Sequence, residues 1–182
     1  MKKSLLPLIA LPLSLLGQTL RSPDGNTALR ISGDAFALDF KGKEVLNVAH
    51  PLGFAKVAIN IGGEPVENGI RDSSWRNDFG ERKTVRDCYR RAVLPLEGDL
   101  EGFAEIRIYN EGVAWRLDLE GAKTVAFEAE NATFVFGGDW RCWPVTHSQG
   151  HYEPFRLSDF DNAPAMPDFA PVAAGIGEMH NY

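Results

Sequence analysis

The segment FAEIRIYNEGVAWRLDL limits the fold of this chain more than any other stretch. Apolar and polar residues alternate on both sides of the Asn110 to Gly112 turn, so each half has one apolar and one polar face. Alternation with a period of two indicates a half-buried strand, and a short turn with Asn and Gly joins two such strands into a hairpin. Short runs of the same kind recur along the chain: TALRIS, DAFALDF, EVLNV, TVAFEAE and ATFVF. We therefore predict an all-β fold, an antiparallel β-sandwich.

The N-terminal residues form a continuous apolar run and do not alternate as the strands do. Two lysines precede an apolar run over Leu5–Leu16, which ends at Gly17. A run of this length is too short for a bilayer, which takes roughly 20 apolar residues. Pro7 and Pro12 argue against the alternative, a buried N-terminal helix. We predict that residues 1–17 are a secretory signal peptide and that the protein is exported to a bacterial periplasm.

The remaining residues, 18–182, amount to one domain, long enough to bury a core. The net charge of −6 and the pI near 5.2 argue against nucleic acid as a partner, because nucleic-acid binding requires a clustered basic face. In an oxidising compartment Cys88 and Cys142 form either a disulfide or two buried free thiols. The sequence leaves both open, since a disulfide requires Cα atoms within about 7 Å of each other.

The stretch WRCWPVTHSQGHYE, residues 140–153, holds the densest group of chemically versatile side chains. His147, His151 and Glu153 have the spacing of zinc sites on helices, where positions i and i+4 share a face. Pro144 and the polar residues after it disfavour a helix and therefore zinc. A carboxylate such as that of Glu153 suits calcium, provided that other oxygen ligands come from elsewhere.

The aromatic residues of the same stretch have two interpretations. Trp140, Trp143 and Tyr152 stand among polar residues, which is typical of sites that stack sugar rings and bind their hydroxyls. Tryptophans in a β-sandwich are more often core residues whose indole N–H finds a partner. For any one of these aromatics, the core interpretation is favoured.

A second dense stretch, WRNDFGERKTVRDCYRR, spans residues 75–91 and mixes arginines with acidic residues. It indicates either a solvated strand pair with surface ion pairs, which contribute little stability, or an interface or saccharide-facing patch. The spacing of the residues does not decide between these alternatives.

The sequence offers no catalytic constellation. It lacks the G-x-S-x-G motif of a nucleophile elbow, and Ser148 beside His147 is no triad. Glycoside hydrolysis requires two facing carboxylates, and nothing in the pattern of acidic residues selects such a pair. We therefore name no catalytic residue.

Several separated motifs, taken in order, resemble one family. They are SPDGN (22–26), KGKEVL (41–46), PLGF (51–54), Trp75 followed by FGER (79–82), IRIYNEGVAWRLDL (106–119), and WRCW ahead of HYE (151–153). In this order they resemble the N-terminal domain of glycoside hydrolase family 97, which comprises exported bacterial α-glucosidases and α-galactosidases. The resemblance covers about residues 19–182, and its most specific parts are YNEGVAWR and the Trp75 and FGER pair.

The resemblance implies a β-super-sandwich of the galactose-mutarotase type. In the family this domain packs against a (β/α)8 barrel that holds the catalytic carboxylates, and no barrel follows in this sequence. Since the family's domain continues beyond the position of Tyr182, we expect further strands of the same domain to be missing. The family's enzymes also use calcium with one carboxylate from the N-terminal domain. The matching residue is Glu153, with Glu178 as the runner-up.

We therefore expect a domain that is inactive alone, binds an α-glucoside or α-galactoside, supports a barrel in cis, and donates Glu153 to calcium. The expected sugar contacts are Trp140, Trp143, His151, Tyr152 and Arg82. Two alternatives stay open. One is a mutarotase-like enzyme in which His147 or His151 acts with Glu153 as an acid–base pair. The other is a structural module without a ligand.

Overall fold

The computed structural model describes residues 17–121, 131–142 and 154–162. These residues form β-strands and one short 3-10 helix, Leu157–Asn162, which confirms the predicted all-β fold. No helix in these ranges is long and apolar enough to cross a membrane. The chain divides into two compact units, Met1–Val135 and Phe136–Tyr182, which are described in turn.

The first sheet contains five strands in the order β1-β2-β3-β4-β10. Their bounds are β1 Gln18–Arg21, β2 Thr27–Ser32, β3 Ala35–Phe40, β4 Lys43–Ala49 and β10 Thr133–Phe136. The strands β1 to β4 pair antiparallel with their sequence neighbours. The segments predicted as strands at TALRIS, DAFALDF and EVLNV therefore form one antiparallel meander.

The second sheet follows the order β5-β7-β8-β9, and β6 also pairs with β7. Its strands are β5 Ile59–Ile61, β6 Glu67–Arg76, β7 Thr84–Gly98, β8 Gly102–Tyr109 and β9 Gly112–Leu119. The predicted hairpin is present as β8 and β9, which are in register from Gly102↔Leu119 to Tyr109↔Gly112. The long strand β7 is the centre of this sheet, because it pairs with β5, β6 and β8.

A proline lies inside β7 without breaking it. Both β5 and β6 run along one edge of β7, and the residues between them loop out beside Pro95. The carbonyl oxygen of Pro95 accepts a hydrogen bond of 2.8 Å from the backbone N–H of Gly62 in this loop. Since the N–H and C=O of a strand residue point to the same side, the missing N–H of Pro95 faces this irregular edge and not the ladder with β8. The proline therefore removes no hydrogen bond from the β7–β8 pair.

Two of the motifs that carry the resemblance meet at one end of this unit. In the SPDGN turn, the carboxylate of Asp24 accepts hydrogen bonds from the Ser22 hydroxyl (2.6 Å) and the Asn26 backbone N–H (3.0 Å). The Ser22 hydroxyl is the main reason that the pKa of Asp24 is lowered. The Thr27 hydroxyl then donates to the carbonyl of Asn110, in the YNEG turn, over 2.6 Å. The turn between β1 and β2 is thereby tied to the turn between β8 and β9.

The core lies between the inner faces of the two sheets. Its buried residues come from both sheets and one loop: Leu20, Leu29, Ile31, Phe36, Val48, Leu52, Ile59, Ala92, Leu94, Leu96, Ala104, Ile106 and Ile108. Phe36 of β3 meets Trp115 of β9 edge to face, with ring centroids 5.6 Å apart. The Trp115 indole N–H donates to the Pro51 carbonyl over 3.0 Å. This arrangement is the one expected of a tryptophan in a sandwich core.

The second unit contains a small two-stranded sheet of β11 Arg141–Cys142 and β12 Phe155–Arg156, followed by the 3-10 helix. Asp139 organises this unit. Its carboxylate accepts hydrogen bonds from the Ser158 backbone N–H (3.0 Å) and from Arg156 Nη1 (3.3 Å). The bond from Ser158 is the main cause of the lowered pKa of Asp139. The carboxylate thus joins the turn before β11 to the beginning of the 3-10 helix.

Candidate functional site

Two of the predicted site residues lie in the described part of the chain, one in each unit. Arg82 belongs to the first unit and Trp140 to the second. The others fall outside the described residues: Trp143, His151, Tyr152 and Glu153, together with His147 and Glu178. The joint sugar and calcium site therefore stays a prediction, and so does the acid–base pair of the mutarotase-like alternative.

Trp140 is half-buried, and its neighbours hold it in place. Its backbone N–H donates to the Gly138 carbonyl over 3.1 Å, and its carbonyl accepts from the Leu157 N–H over 3.0 Å. A Cβ atom at Gly138 would lie 3.2 Å from the Trp140 ring, so the ring is packed against this glycine. Trp140 therefore stabilises its own turn, and part of its surface is open to solvent.

Arg82 lies in the loop of a projecting hairpin. Strand β8 pairs with β7 only over Arg90–Pro95, whereas β6 pairs with β7 out to Arg76↔Thr84. From Arg71↔Tyr89 outward, β6 and β7 form a two-stranded ribbon within the described residues. We call this ribbon and its loop, residues 71–89, the hairpin arm.

The loop of the hairpin arm is closed by its own backbone and one side chain. The Asn77 N–H donates to the Lys83 carbonyl over 2.9 Å. The Asn77 side-chain oxygen accepts from the Phe79 N–H over 3.3 Å, which forms an Asx turn. Gly80 has φ of 116°, a conformation that favours glycine. The loop therefore holds Phe79 and Arg82 outward.

Most arginines of the 75–91 stretch are paired. Arg86 forms a two-pronged ion pair with Asp72, with distances of 2.8 and 2.5 Å, and Arg76 lies 3.4 Å from Asp78. Arg90 donates to the Arg21 carbonyl over 2.7 Å. These contacts fit the interpretation of the stretch as a solvated strand pair. Arg82 differs from them, since no described residue forms an ion pair with it.

The hairpin arm also exposes two aromatic side chains that the sequence interpretation did not select as site residues. Trp75 is 52% exposed and Phe79 is 88% exposed. Both belong to the Trp75 and FGER motif. The alternating pattern marks them only as strand and turn residues, so their exposure becomes apparent only when the arm is seen to extend beyond β8.

The outer face of the second sheet holds a buried carboxylate. Glu105 of β8 is 5% exposed, although the alternating pattern predicts its face to be solvated. Its carboxylate accepts from Arg91 Nη2 (3.0 Å), Arg107 Nε (2.7 Å) and Arg116 Nη2 (2.9 Å). The polar face of the hairpin is therefore not solvated at Glu105, because long arginine side chains from three strands cover the carboxylate.

The arginines hold the Glu105 carboxylate in its charged form. The hydrogen bond from Arg91 is the largest cause, and together the three guanidinium groups lower the pKa of Glu105 to about 2. Arg91 also pairs with Glu67 of β6, so the network crosses four strands. Because all these charges are paired, we interpret the network as structural and not as a catalytic acid.

The described residues contain no group of three or more His, Cys, Asp or Glu side chains suited to a metal ion. Glu153 lies outside them, so the calcium site stays a prediction. Cys88 of β7 is a free cysteine and is half-buried, not fully buried as the free-thiol alternative expects. The side chain of Cys142 is outside the described part.

A family model described as Glycosyl-hydrolase 97 N-terminal matches residues 20–173. The chain belongs to this family. The match includes the hairpin arm, the Glu105 network and the WRCWPVTHSQGHYE stretch. It confirms the resemblance based on the separated motifs.

Solved structures of glycoside hydrolase family 97 enzymes from Pseudoalteromonas sp. strain K8 share the fold. Two of them, in complex with panose and with acarbose, have TM-scores of 0.62, and a further variant has 0.61. Each is 22% identical over 78% of this chain, and the chain covers 25% of the length of each enzyme. Among curated proteins, none matches this chain.

Proposed function

We propose that this chain is the carbohydrate-binding accessory domain of an exported family 97 glycoside hydrolase. The observation that carries the proposal is the family match over residues 20–173. Solved enzymes with the same fold are complexes with panose and acarbose, which supports a carbohydrate as the ligand. The N-terminal lysines and the apolar run over Leu5–Leu16 support export through a signal peptide to the periplasm.

The domain is inactive alone in this proposal. Glycoside hydrolysis needs an acid and a second carboxylate on either side of one bond. In the proposal, a (β/α)8 barrel in the same polypeptide supplies that pair. This chain covers 25% of the length of each solved enzyme. A protein of this family therefore has ample further length for such a barrel.

The proposed sugar contacts are Trp140, Trp143, His151, Tyr152 and Arg82. Arg82 is exposed and has no described ion-pair partner, so its guanidinium is available to sugar hydroxyls. Trp140 is half-buried, which suits a ring that is anchored on one side and offers surface on the other. The substrate class that we propose is an α-glucoside or α-galactoside.

Glu153 is the proposed calcium ligand. Calcium takes six to eight oxygen ligands, so one carboxylate holds it only together with others. When bound, calcium would bring a positive charge and oriented coordination positions to the edge of the sugar site. Glu153 would keep its carboxylate aimed at the ion.

Isothermal titration of the mature chain with maltose and galactose, with and without calcium, tests this proposal. We expect binding heat with sugar that is stronger with calcium, and loss of the calcium effect in Glu153→Gln. Glu111→Gln is the matched control, because Glu111 is an exposed glutamate in the turn between β8 and β9. The absence of heat with both sugars, with or without calcium, would contradict carbohydrate binding by this domain.

A further inference from the structure

The hairpin arm has more exposed aromatic surface than its own fold requires. Phe79 is 88% exposed and Trp75 is 52% exposed, and neither belongs to the core cluster. Exposed aromatic side chains of this size leave a large apolar area in water, which is unfavourable unless the surface has a use. The aromatic pair therefore indicates a surface that contacts something else.

Cross-strand contacts and hydrogen bonds within the loop hold Trp75 and Phe79 in an ordered hairpin. The Arg86–Asp72 ion pair crosses the ribbon, and Trp75 lies opposite Val85 in the strand register. The hydrogen bond from Asn77 to Lys83, the Asx turn at Phe79 and the conformation of Gly80 close the loop. A pre-formed element binds with less loss of conformational entropy than a disordered one.

The polar neighbours of the two rings indicate the class of ligand. The loop presents exposed Asp78, Glu81 and Arg82 within a few residues of Phe79. The centre of a protein–protein interface is depleted of acidic residues such as Asp78 and Glu81. A sugar offers apolar C–H faces to aromatic rings and hydroxyl groups to carboxylate and guanidinium groups. The mixture of side chains at the tip therefore favours a carbohydrate over a protein surface.

We propose that the tip of the hairpin arm contacts carbohydrate, with Trp75 and Phe79 packed against pyranose faces and Arg82 bound to ring hydroxyls. This inference rests on the proposed function and extends it from Arg82 alone to Trp75 and Phe79. We call these two aromatic residues the platform. It assigns a binding role to two residues outside the WRCWPVTHSQGHYE stretch.

Calorimetric titration of the mature chain with maltotriose in the presence of calcium tests the platform. Phe79→Ser and Trp75→Ala should each weaken binding by about threefold to tenfold, the range that corresponds to one aromatic contact. Phe134→Ser is the matched control, since Phe134 is also an exposed phenylalanine, at 52%, but lies on β10 of the first sheet. Its affinity should equal that of the unaltered chain.

The other outcomes separate this inference from the proposed function. Unaltered affinity in both arm variants, with normal binding by the parent chain, overturns the platform and leaves carbohydrate binding in place. The absence of binding by the parent chain at millimolar sugar overturns both. Sedimentation of the same variants supplies one more outcome. Self-association that disappears in Phe79→Ser, without any change in sugar affinity, would make the tip a protein contact and overturn the platform.

Discussion

Two hairpins of the second sheet show opposite uses of the same secondary structure. In the β8–β9 hairpin, Ala104, Ile106 and Ile108 are fully buried on one face, and the Glu105 network covers the β8 part of the other. In the hairpin arm every residue of the β6 half is exposed, whereas the β7 half is partly covered and ends at the buried Tyr89, and the contacts are mainly cross-strand. A two-stranded ribbon gains little stability by itself, whereas a strand with both faces covered is part of the core. The difference indicates that β8–β9 supports the fold and that the arm presents side chains.

The largest expected effect is a difference in stability between a buried position and an exposed position of the second sheet. Ile106→Ala removes a fully buried side chain and should lower the free energy of unfolding by about 2–5 kcal/mol. Ile70→Ala, on β6 immediately before the arm and with a side chain 51% exposed, should change it by less than about 1 kcal/mol. Urea unfolding followed by circular dichroism measures both. Equal losses would show that β6 next to the arm is packed as tightly as the core strands.

Breaking an ion pair should also cost more stability in the β8–β9 hairpin than in the hairpin arm. Glu105→Gln leaves three partly covered arginines without their shared carboxylate and should destabilise the fold by about 2 kcal/mol. Asp72→Asn breaks the exposed pair with Arg86 in the arm and should cost much less stability, because water screens an exposed ion pair. The same unfolding assay compares them. A larger loss for Asp72→Asn would reverse our assignment of the structural network.

The contribution of Glu105 should also depend on pH. Its pKa in the folded protein is about 2, below the ordinary value of 4.5, because the arginines favour the charged form. A lowered folded pKa means that the stabilisation is complete above the unfolded pKa and is lost as the pH falls through the folded one. The difference in stability between the unaltered chain and Glu105→Gln should therefore narrow as the pH falls from about 5 to about 2. A difference that stays constant over this range would contradict the paired carboxylate.

The last stability comparison concerns the loop of the arm. Gly80→Ala places a Cβ atom where φ is 116° and where Asn77 Nδ2 would be 3.1 Å away, which should destabilise the chain by roughly 1 kcal/mol. Gly69→Ala in β6 is the matched control, because a Cβ atom there meets nothing within 4 Å. Thermal unfolding distinguishes them. Equal melting temperatures of the two variants would mean that the loop does not need the conformation at Gly80.

The sequence predicted the fold where local pattern decides structure. The alternation in FAEIRIY and VAWRLDL identified β8, β9 and the buried side of each strand, including Ala104 and Ile106. The same rule failed for Glu105. Its burial depends on Arg91 of β7 and Arg116 of β9, and strand register brings them together across the sheet. A pattern within one strand contains no information about such neighbours.

The candidate site was less accessible to prediction than the fold. The exposure of Trp75 and Phe79 follows from where β8 stops pairing with β7, which is a property of two strands and not of either one. Arg82 was named through the family motif. For Glu153 and its neighbours in WRCWPVTHSQGHYE, the assignment rests on residue types and family membership, since they lie outside the described residues.

Chemical-shift mapping of the mature chain with maltotriose and calcium tests most directly whether this is a carbohydrate-binding domain whose arm presents the ligand contacts. We predict that amide and indole signals move in the loop from Trp75 to Lys83 and around Trp140, while the signals of β8 stay in place. Movement confined to β8 and its neighbours, or no movement at all, would contradict the account.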